Sequence, residues 1–367
     1  MLLGIDVSTY IEEKNAGARY LDNGKEFDPL QTFRDNGISL MRIRIWNNPF
    51  DENGKPYLGG TNDLNQALNL IKEGDKYGYQ YLIDLHYSDF WADPGKQCLP
   101  KEWVGLSFEE IYQKVYSFTK ETLSEIKKVK EDIPFIQIGN EVTNGMLWPY
   151  GQLVFDENNK LVDYKGFLKL LSSGIKASRE IYPNAKIIIH LESSNKYQVY
   201  QEIFSKIAEE RLDYDIIGMS YYPYWHGTFD ELFYNVNLCQ KAFKKDVMIC
   251  ELGYGFTLED YIFTSNGKSE LKVSRETLDA KLPYEISIEG QALFIEDFLK
   301  RCQNNNVAGV IYWEPLWIPG EQICWASPKG QEYIGEPGKP TRNEWSNQCL
   351  VDYTGQKLPG FDKFKLQ

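Results

Sequence analysis

Phe135-Ile136-Gln137-Ile138-Gly139-Asn140-Glu141 reads as a short buried β-strand that ends by placing an amide and a carboxyl at its C-terminal tip. A buried carboxylate is costly unless it is paired or put to use, so a strand ending this way asks for a scaffold that brings a partner to Glu141. Seven further apolar, β-branched-rich runs accompany it: Leu2–Val7, Leu40–Trp46, Tyr81–His86, Lys186–Leu191, Asp215–Ser220, Val247–Glu251 and Val307–Trp313. Between them lie segments of helical periodicity, marked by Leu64, Leu68 and Ile71, by Ile111, Val115, Phe118, Leu123 and Ile126, by Leu168, Leu171 and Ile175, by Ile203 and Ile207, and by Leu293, Phe298 and Leu299. Strands alternating with helices predict βαβ units and a parallel sheet. Eight such units predict an α/β chain folded as a (β/α)8 TIM barrel.

A doubly wound open sheet would announce itself by a glycine-rich turn after the first strand. Gly4-Ile5-Asp6-Val7-Ser8 is no such turn, and neither GxGxxG nor a P-loop follows any strand, which argues against nucleotide chemistry. With no internal repeat and no low-complexity linker, residues 1–367 read as one catalytic barrel domain with elaborated loops at its C-terminal face. The longest insertion, Phe256–Pro283, falls between the seventh and eighth strands, where it would shape a cleft. The tail from Ile318 is rich in Gly, Pro and Trp and reads as irregular packing over the barrel mouth.

Composition narrows the function. Hydrophobic residues are 42% and charged residues 25%, as expected of a globular chain with a full core. Aromatics reach 14%, with 25 Tyr and 9 Trp, which suits a wet cleft that stacks on flat ligands. A net charge of −13 disfavours nucleic acid and acidic polysaccharides, and a neutral substrate fits better. No apolar run is long enough to span a membrane. No signal peptide is visible before strand-like sequence starts at Leu2, so the chain reads as cytoplasmic as written, or as the mature form of a secreted enzyme. Six scattered cysteines show no paired spacing, although Cys324 and Cys349 lie in late loops and are candidates for a disulfide in an oxidising compartment.

Nearly every apolar run ends in side chains capable of chemistry. The second ends Arg42-Ile43-Arg44-Ile45-Trp46, with both arginines on one face by the period-two rule. The third ends Asp84-Leu85-His86, the sixth Ser220-Tyr221-Tyr222-Pro223, the seventh Cys250-Glu251 and the eighth Tyr312-Trp313-Glu314-Pro315. In a barrel these ends converge on one pocket. Two carboxyls facing each other across that mouth are the equipment of glycoside hydrolysis, and Glu141 and Glu251 are so placed. Arg44 is the cation expected to keep Glu251 ionised, while a drier setting keeps Glu141 protonated. Period two alone would send Asn140 and Glu141 to opposite faces, so the strand must bend near Gly139. Bland readings stand beside these: His86 and His226 as ordinary hydrogen-bonded histidines, and Trp91, Trp225 and Trp313 as core aromatics.

These stretches resemble the arabinogalactan endo-β-1,4-galactanases of glycoside hydrolase family 53, along nearly the whole chain. The resemblance is carried by Gly4–Ser8, Arg42–Trp46, Gly60–Leu64, Asp84–Gln97, Gln137–Pro149, Ser220–Gly227, Glu251–Tyr254, Tyr312–Pro315 and Asn347-Gln348. It implies a retaining enzyme acting on neutral β-1,4-galactan, with Glu141 as acid/base and Glu251 as nucleophile about 5–5.5 Å apart. By the same resemblance Asn140 meets the 2-hydroxyl of the sugar, Arg44 and one of Tyr221 or Tyr222 hold Glu251, and His86, Trp91, Trp225 and His226 line the cleft. Trp313 forms the floor, followed by a candidate cis bond to Glu314.

Bacterial members often bind calcium between the loop after the seventh strand and the C-terminal region. Here Thr257–Gly267 is thin in carboxylates, and Ser346 stands where an acid is common, so neither a metal nor another cofactor is expected. Leu252 stands where the family usually has Thr, a change with no evident reading. The enzyme is expected to act as a monomer, without nucleic-acid or membrane partners. The rival readings are a related barrel acting on mannan or cellulose, a non-catalytic carbohydrate-binding barrel, and a metal-dependent hydrolase. The last is poorly served by three histidines without HxH or HExxH spacing.

Overall fold

A computed structural model describes residues 1–262, 267–278 and 280–364. Eight strands close into a barrel: β1 (Leu2–Asp6), β2 (Leu40–Ile45), β3 (Gln80–Leu85), β4 (Phe135–Ile138), β5 (Lys186–Leu191), β6 (Ile216–Tyr221), β7 (Asp246–Leu252) and β8 (Gly309–Trp313). Every neighbouring pair is parallel, and β1 closes the ring between β8 and β2. The expected (β/α)8 barrel is what forms.

Seven long helices pack around it: α1 (Pro29–Asp35), α2 (Leu64–Asp75), α3 (Phe108–Val129), α4 (Lys165–Ile181), α5 (Tyr197–Glu209), α6 (Phe229–Phe243) and α7 (Ile288–Asn304). Their starts are written locally. Ser107 with Glu110, and Thr228 with Glu231, form reciprocal capping boxes that satisfy otherwise orphaned N–H groups. Asp28 caps α1 ahead of Pro29, whose missing N–H costs nothing at that position. The buried face of α7 is Phe294, Ile295, Phe298, Leu299 and Cys302, while Leu293 points outward at 51% exposure, one position off the expected stripe. No long helix follows β8 among the described residues. A 3-10 turn at Pro359–Lys363 takes that place, packing against α7 and stacking Phe361 on Phe33 of α1 at 3.8 Å between centroids.

The barrel interior is built in layers by the period-two rule. Leu40, Leu82, Phe135, Ile188, Ile216, Met248 and Ile311, with Leu2, form one apolar layer. Two residues further along the strands the chain supplies Arg42, Asp84, Gln137 and His190, all buried. The apolar layer therefore supports a polar one directly beneath the mouth.

Two irregularities aim the strand ends. β4 stops at Ile138 because Gly139 turns to φ +77°, and Glu141 follows in the left-handed region at φ +47°. In β7 the pairing with β6 slips by one residue, from Met219 opposite Ile249 to Ser220 opposite Glu251. That bulge lets Cys250 face the interior while Glu251 still reaches the pocket. Glu314 also sits at positive φ, +46°, after a trans bond from Trp313; among the described residues the cis bond is Trp148–Pro149, which corrects the sequence expectation. Non-glycine residues in this region cost about 1–3 kcal/mol each and persist where surrounding contacts over-determine them.

The insertion after β7 is pinned to the tail. Asn347 donates to the Thr257 and Val273 carbonyls, and the Lys272 N–H donates to Glu344 O. No described helix is long and apolar enough to cross a membrane. All six cysteines are free thiols, so Cys324 and Cys349 do not pair; the Cys349 thiol instead lies 3.1 Å from Trp317 O.

Candidate active site

The strand ends and tail enclose a cavity of about 370 Å³. Of the residues singled out in the sequence, Arg44, His86, Trp91, Asn140, Glu141, Tyr222, Trp225, His226, Glu251 and Trp313 all line it. Tyr221 does not. Ser220 faces inward, so its neighbour Tyr221 points outward, stacks on Phe298 of α7 at 5.3 Å and donates to Gly227 O. Tyr222 is the tyrosine in the site, and its hydroxyl donates to Glu251 Oε2 at 2.9 Å.

Glu141 and Glu251 face each other, with a carboxylate oxygen of each and a ring nitrogen of His190 all within 4.8 Å of one another. Their surroundings are unequal. Arg42 Nη1 lies 3.1 Å from Glu251 Oε1, and Tyr222 donates to the other oxygen. Burial pushes the Glu251 carboxyl up to about 7, against the opposing pull of Arg42 and Tyr222 toward the ionised form. Among the described residues Glu141 has no such cation. Burial, then the charges of Glu251 and Glu192, hold its carboxyl well above the usual range, opposed by one hydrogen bond from Ser220 Oγ at 2.6 Å. Of the pair, Glu141 therefore holds its proton more tightly and Glu251 is the first to ionise.

The arginine on Glu251 is Arg42, not Arg44. Both point inward, but Arg42 lies one layer deeper, where its guanidinium meets Asp6 and Asp84 at 2.8 Å each as well as Glu251, and donates to Asn140 Oδ1 at 2.8 Å. Arg44, nearer the mouth, is taken by Glu314 at 2.6 Å and Asp6 at 3.4 Å, and its guanidinium stacks over Trp91 at 4.5 Å.

Asn140 is held on all sides. Its amide donates to Ala92 O, its Oδ1 takes the Arg42 bond, and its own carbonyl accepts from Gln97. The turn at Gly139 thus brings both Asn140 and Glu141 into the pocket. His86 bridges Asp84 and the Trp46 indole, and His226 accepts from the Tyr222 N–H. Trp313 packs edge-on against Trp345 at 5.3 Å, and half-exposed Trp225 stands at the rim.

Several lining residues escaped the sequence reading: Lys96, Glu192, Lys272, Trp325, Glu336, Glu344 and Trp345. Most come from long loops and the tail, whose placement no periodicity predicts. His190 was legible, as a polar residue two positions beyond Ile188 in a barrel strand. It bonds Ser220, and its ring also meets Gln137 and Asn140.

Where relatives often hold calcium, between the β7 loop and the tail, Asn347 gives its amide N–H groups to the loop carbonyls and leaves its buried Oδ1 without a hydrogen-bond partner, and Asp260 accepts from Ile262, Ser269 and Glu270. Residues 263–266 of that loop lie outside the described residues.

The family model for glycosyl hydrolase family 53 matches residues 2–364. An endo-β-1,4-galactanase of Bacillus subtilis (strain 168) is 35% identical over 99% of this chain and 85% of its own length. An arabinogalactan endo-β-1,4-galactanase of Cellvibrio japonicus is 29% identical over 99% of this chain and 90% of its own. Among solved structures, the Ignisphaera aggregans GH53 catalytic domain superposes with a TM-score of 0.86 at 35% identity, covering 99% of this chain and 95% of that one. The chain belongs to glycosyl hydrolase family 53.

Proposed function

We propose that this family 53 chain is a retaining endo-β-1,4-galactanase that cuts neutral β-1,4-galactan by double displacement. The observation that carries the reading is the pair of strand-end carboxyls, with oxygens within 4.8 Å and opposite electrostatic settings, at the base of a tryptophan-lined cleft. Inverting enzymes hold their carboxyls about 6.5–9.5 Å apart to admit a water between them, and this spacing leaves no such room.

Glu251, ionised beside Arg42, attacks the anomeric carbon while Glu141 gives its proton to the departing glycosidic oxygen. Loss of that proton leaves Glu141 as the base that draws a proton from water in the second step, which frees Glu251. Asn140, immobilised beside the nucleophile, meets the 2-hydroxyl of the sugar. Trp313 supplies the floor and Trp225 a stacking face at the rim. His86, His226 and Trp91 shape the walls, and Arg44 braces Trp91 from behind. The two carboxyls carry both proton transfers and the covalent step, so the reaction needs no cofactor.

A product time course on linear galactan, galactomannan and cellulose tests the substrate. We expect rapid loss of galactan chain length with a broad spread of intermediate oligosaccharides from the first minutes, and no release from the other two. Cleavage of galactomannan or cellulose with galactan untouched would transfer the reading to another β-glycan. Binding of galacto-oligosaccharide without cleavage would make the chain a non-catalytic receptor.

A further inference from the structure

We infer that Ser220 and His190 form a positioning pair for the acid/base carboxyl. His190 orients the Ser220 hydroxyl, which donates to Glu141 Oε1 and so leaves Oε2 to carry the proton destined for the leaving oxygen. This rests on the reading of Glu141 as acid/base and adds two residues to which that reading gives no role.

The hydrogen-bond inventory supports it. Ser220 Oγ lies 2.6 Å from Glu141 Oε1 and 2.9 Å from His190 Nε2, and both side chains are fully buried. A serine hydroxyl has one proton, and the nearer of its two partners is Glu141 Oε1, which accepts it whether the carboxyl is ionised or carries its own proton on Oε2. His190 Nε2 touches the same oxygen, and the ring is fixed on its other side by Nδ1, which lies 3.0 Å from Asn140 Oδ1 and 3.1 Å from Gln137 Nε2. Burial and the nearby Arg42 charge hold the ring neutral. Among the described residues no other donor reaches the Glu141 carboxylate.

The charges facing Glu141 make that one donor matter. Glu251 from β7, Glu192 after β5 and Asp93 in the loop after β3 all disfavour a second negative charge there, and Arg42 is engaged by Asp6, Asp84 and Glu251. A donor bonded to a carboxylate favours the ionised form. Removing it must therefore raise the pH at which Glu141 loses its proton. The alkaline limb of kcat/KM reports that loss in the free enzyme, so the limb moves up.

The experiment compares pH profiles of kcat/KM on galactan for wild type, Ser220→Ala, Ser220→Thr and Glu141→Gln. We expect Ser220→Ala to move the alkaline limb up by about one pH unit and to lower kcat at neutral pH by about tenfold, with KM within about twofold, as suits one charge-assisted hydrogen bond. Ser220→Thr, which keeps the hydroxyl, restores the wild-type profile, and Glu141→Gln has no alkaline limb. A limb that stays in place in Ser220→Ala but vanishes in Glu141→Gln overturns the positioning pair and leaves the acid/base assignment standing. A wild-type limb in Glu141→Gln overturns both. His190→Phe in the Ser220→Ala background should move the limb no further; a full additional shift would show that His190 does not act through Ser220.

Discussion

Glu251→Ala is expected to lower kcat on galactan by roughly five orders of magnitude while the protein still folds. The loss follows from removing the only atom placed to form the glycosyl bond to the enzyme. The fold survives because Arg42 keeps Asp6 and Asp84, each at 2.8 Å, after its third partner is gone. The space left by the carboxylate admits a small anion beside Arg42. Added azide should therefore attack the anomeric carbon directly, in one displacement, and yield the α-galactosyl azide. A folded Glu251→Ala protein that keeps a tenth of wild-type turnover would remove Glu251 from the role of nucleophile.

Glu141→Ala should cost about 10³–10⁴ in kcat on galactan, the usual contribution of a positioned acid and base. The size of the effect should depend on the leaving group. A sugar hydroxylate needs Glu141's proton to depart, whereas a dinitrophenolate does not. On a dinitrophenyl β-galactoside the first step should run near the wild-type rate, after which the glycosyl enzyme accumulates for lack of a base. Azide should then release the β-galactosyl azide, because Glu251 is still present to invert the centre once. Equal losses on both substrates would contradict the assignment. So would an α-azide product.

The barrel was legible because its strands are apolar runs at regular spacing, and because their ends are polar in a way that only a convergent mouth explains. Glu141 and Glu251 stood out as carboxyls closing otherwise apolar strands. The turn at Gly139 was also anticipated, since Asn140 and Glu141 cannot both face inward on a regular strand, and Gly139 does adopt φ +77°.

What misled the reading was depth. Period two places Arg42 and Arg44 on the same face but says nothing of which layer meets Glu251. That is decided by the stagger of neighbouring strands and by the bulge opposite Ser220 in β7. The choice between Tyr221 and Tyr222 was decidable by parity from Ser220, once Ser220 is known to face the interior. His190 and Gln137 lie inside apolar runs rather than at their ends, although a polar residue at an interior register of a barrel strand is a functional signal. Lys272, Glu336, Glu344 and Trp345 arrive from the β7 insertion and the tail, where tertiary contacts rather than local pattern set the path.

The unequal carboxyl pair also explains why the interior carries so many charges. Asp6, Asp84 and Glu251 surround one arginine, and Glu314 and Asp6 another. Such a network adds little net stability compared with an apolar core. What it does provide is a fixed guanidinium beside the nucleophile and a rigid brace behind the Trp91 wall, both of which the double displacement uses.

The most direct measurement is the anomeric configuration of the first reducing ends released from β-1,4-galactan, followed by proton NMR before mutarotation mixes the anomers. Double displacement through Glu251 predicts that the β-anomer appears first and the α-anomer only later. An α-anomer formed first would mean a single displacement by water, and would contradict both the covalent role of Glu251 and the reading of the close carboxyl pair.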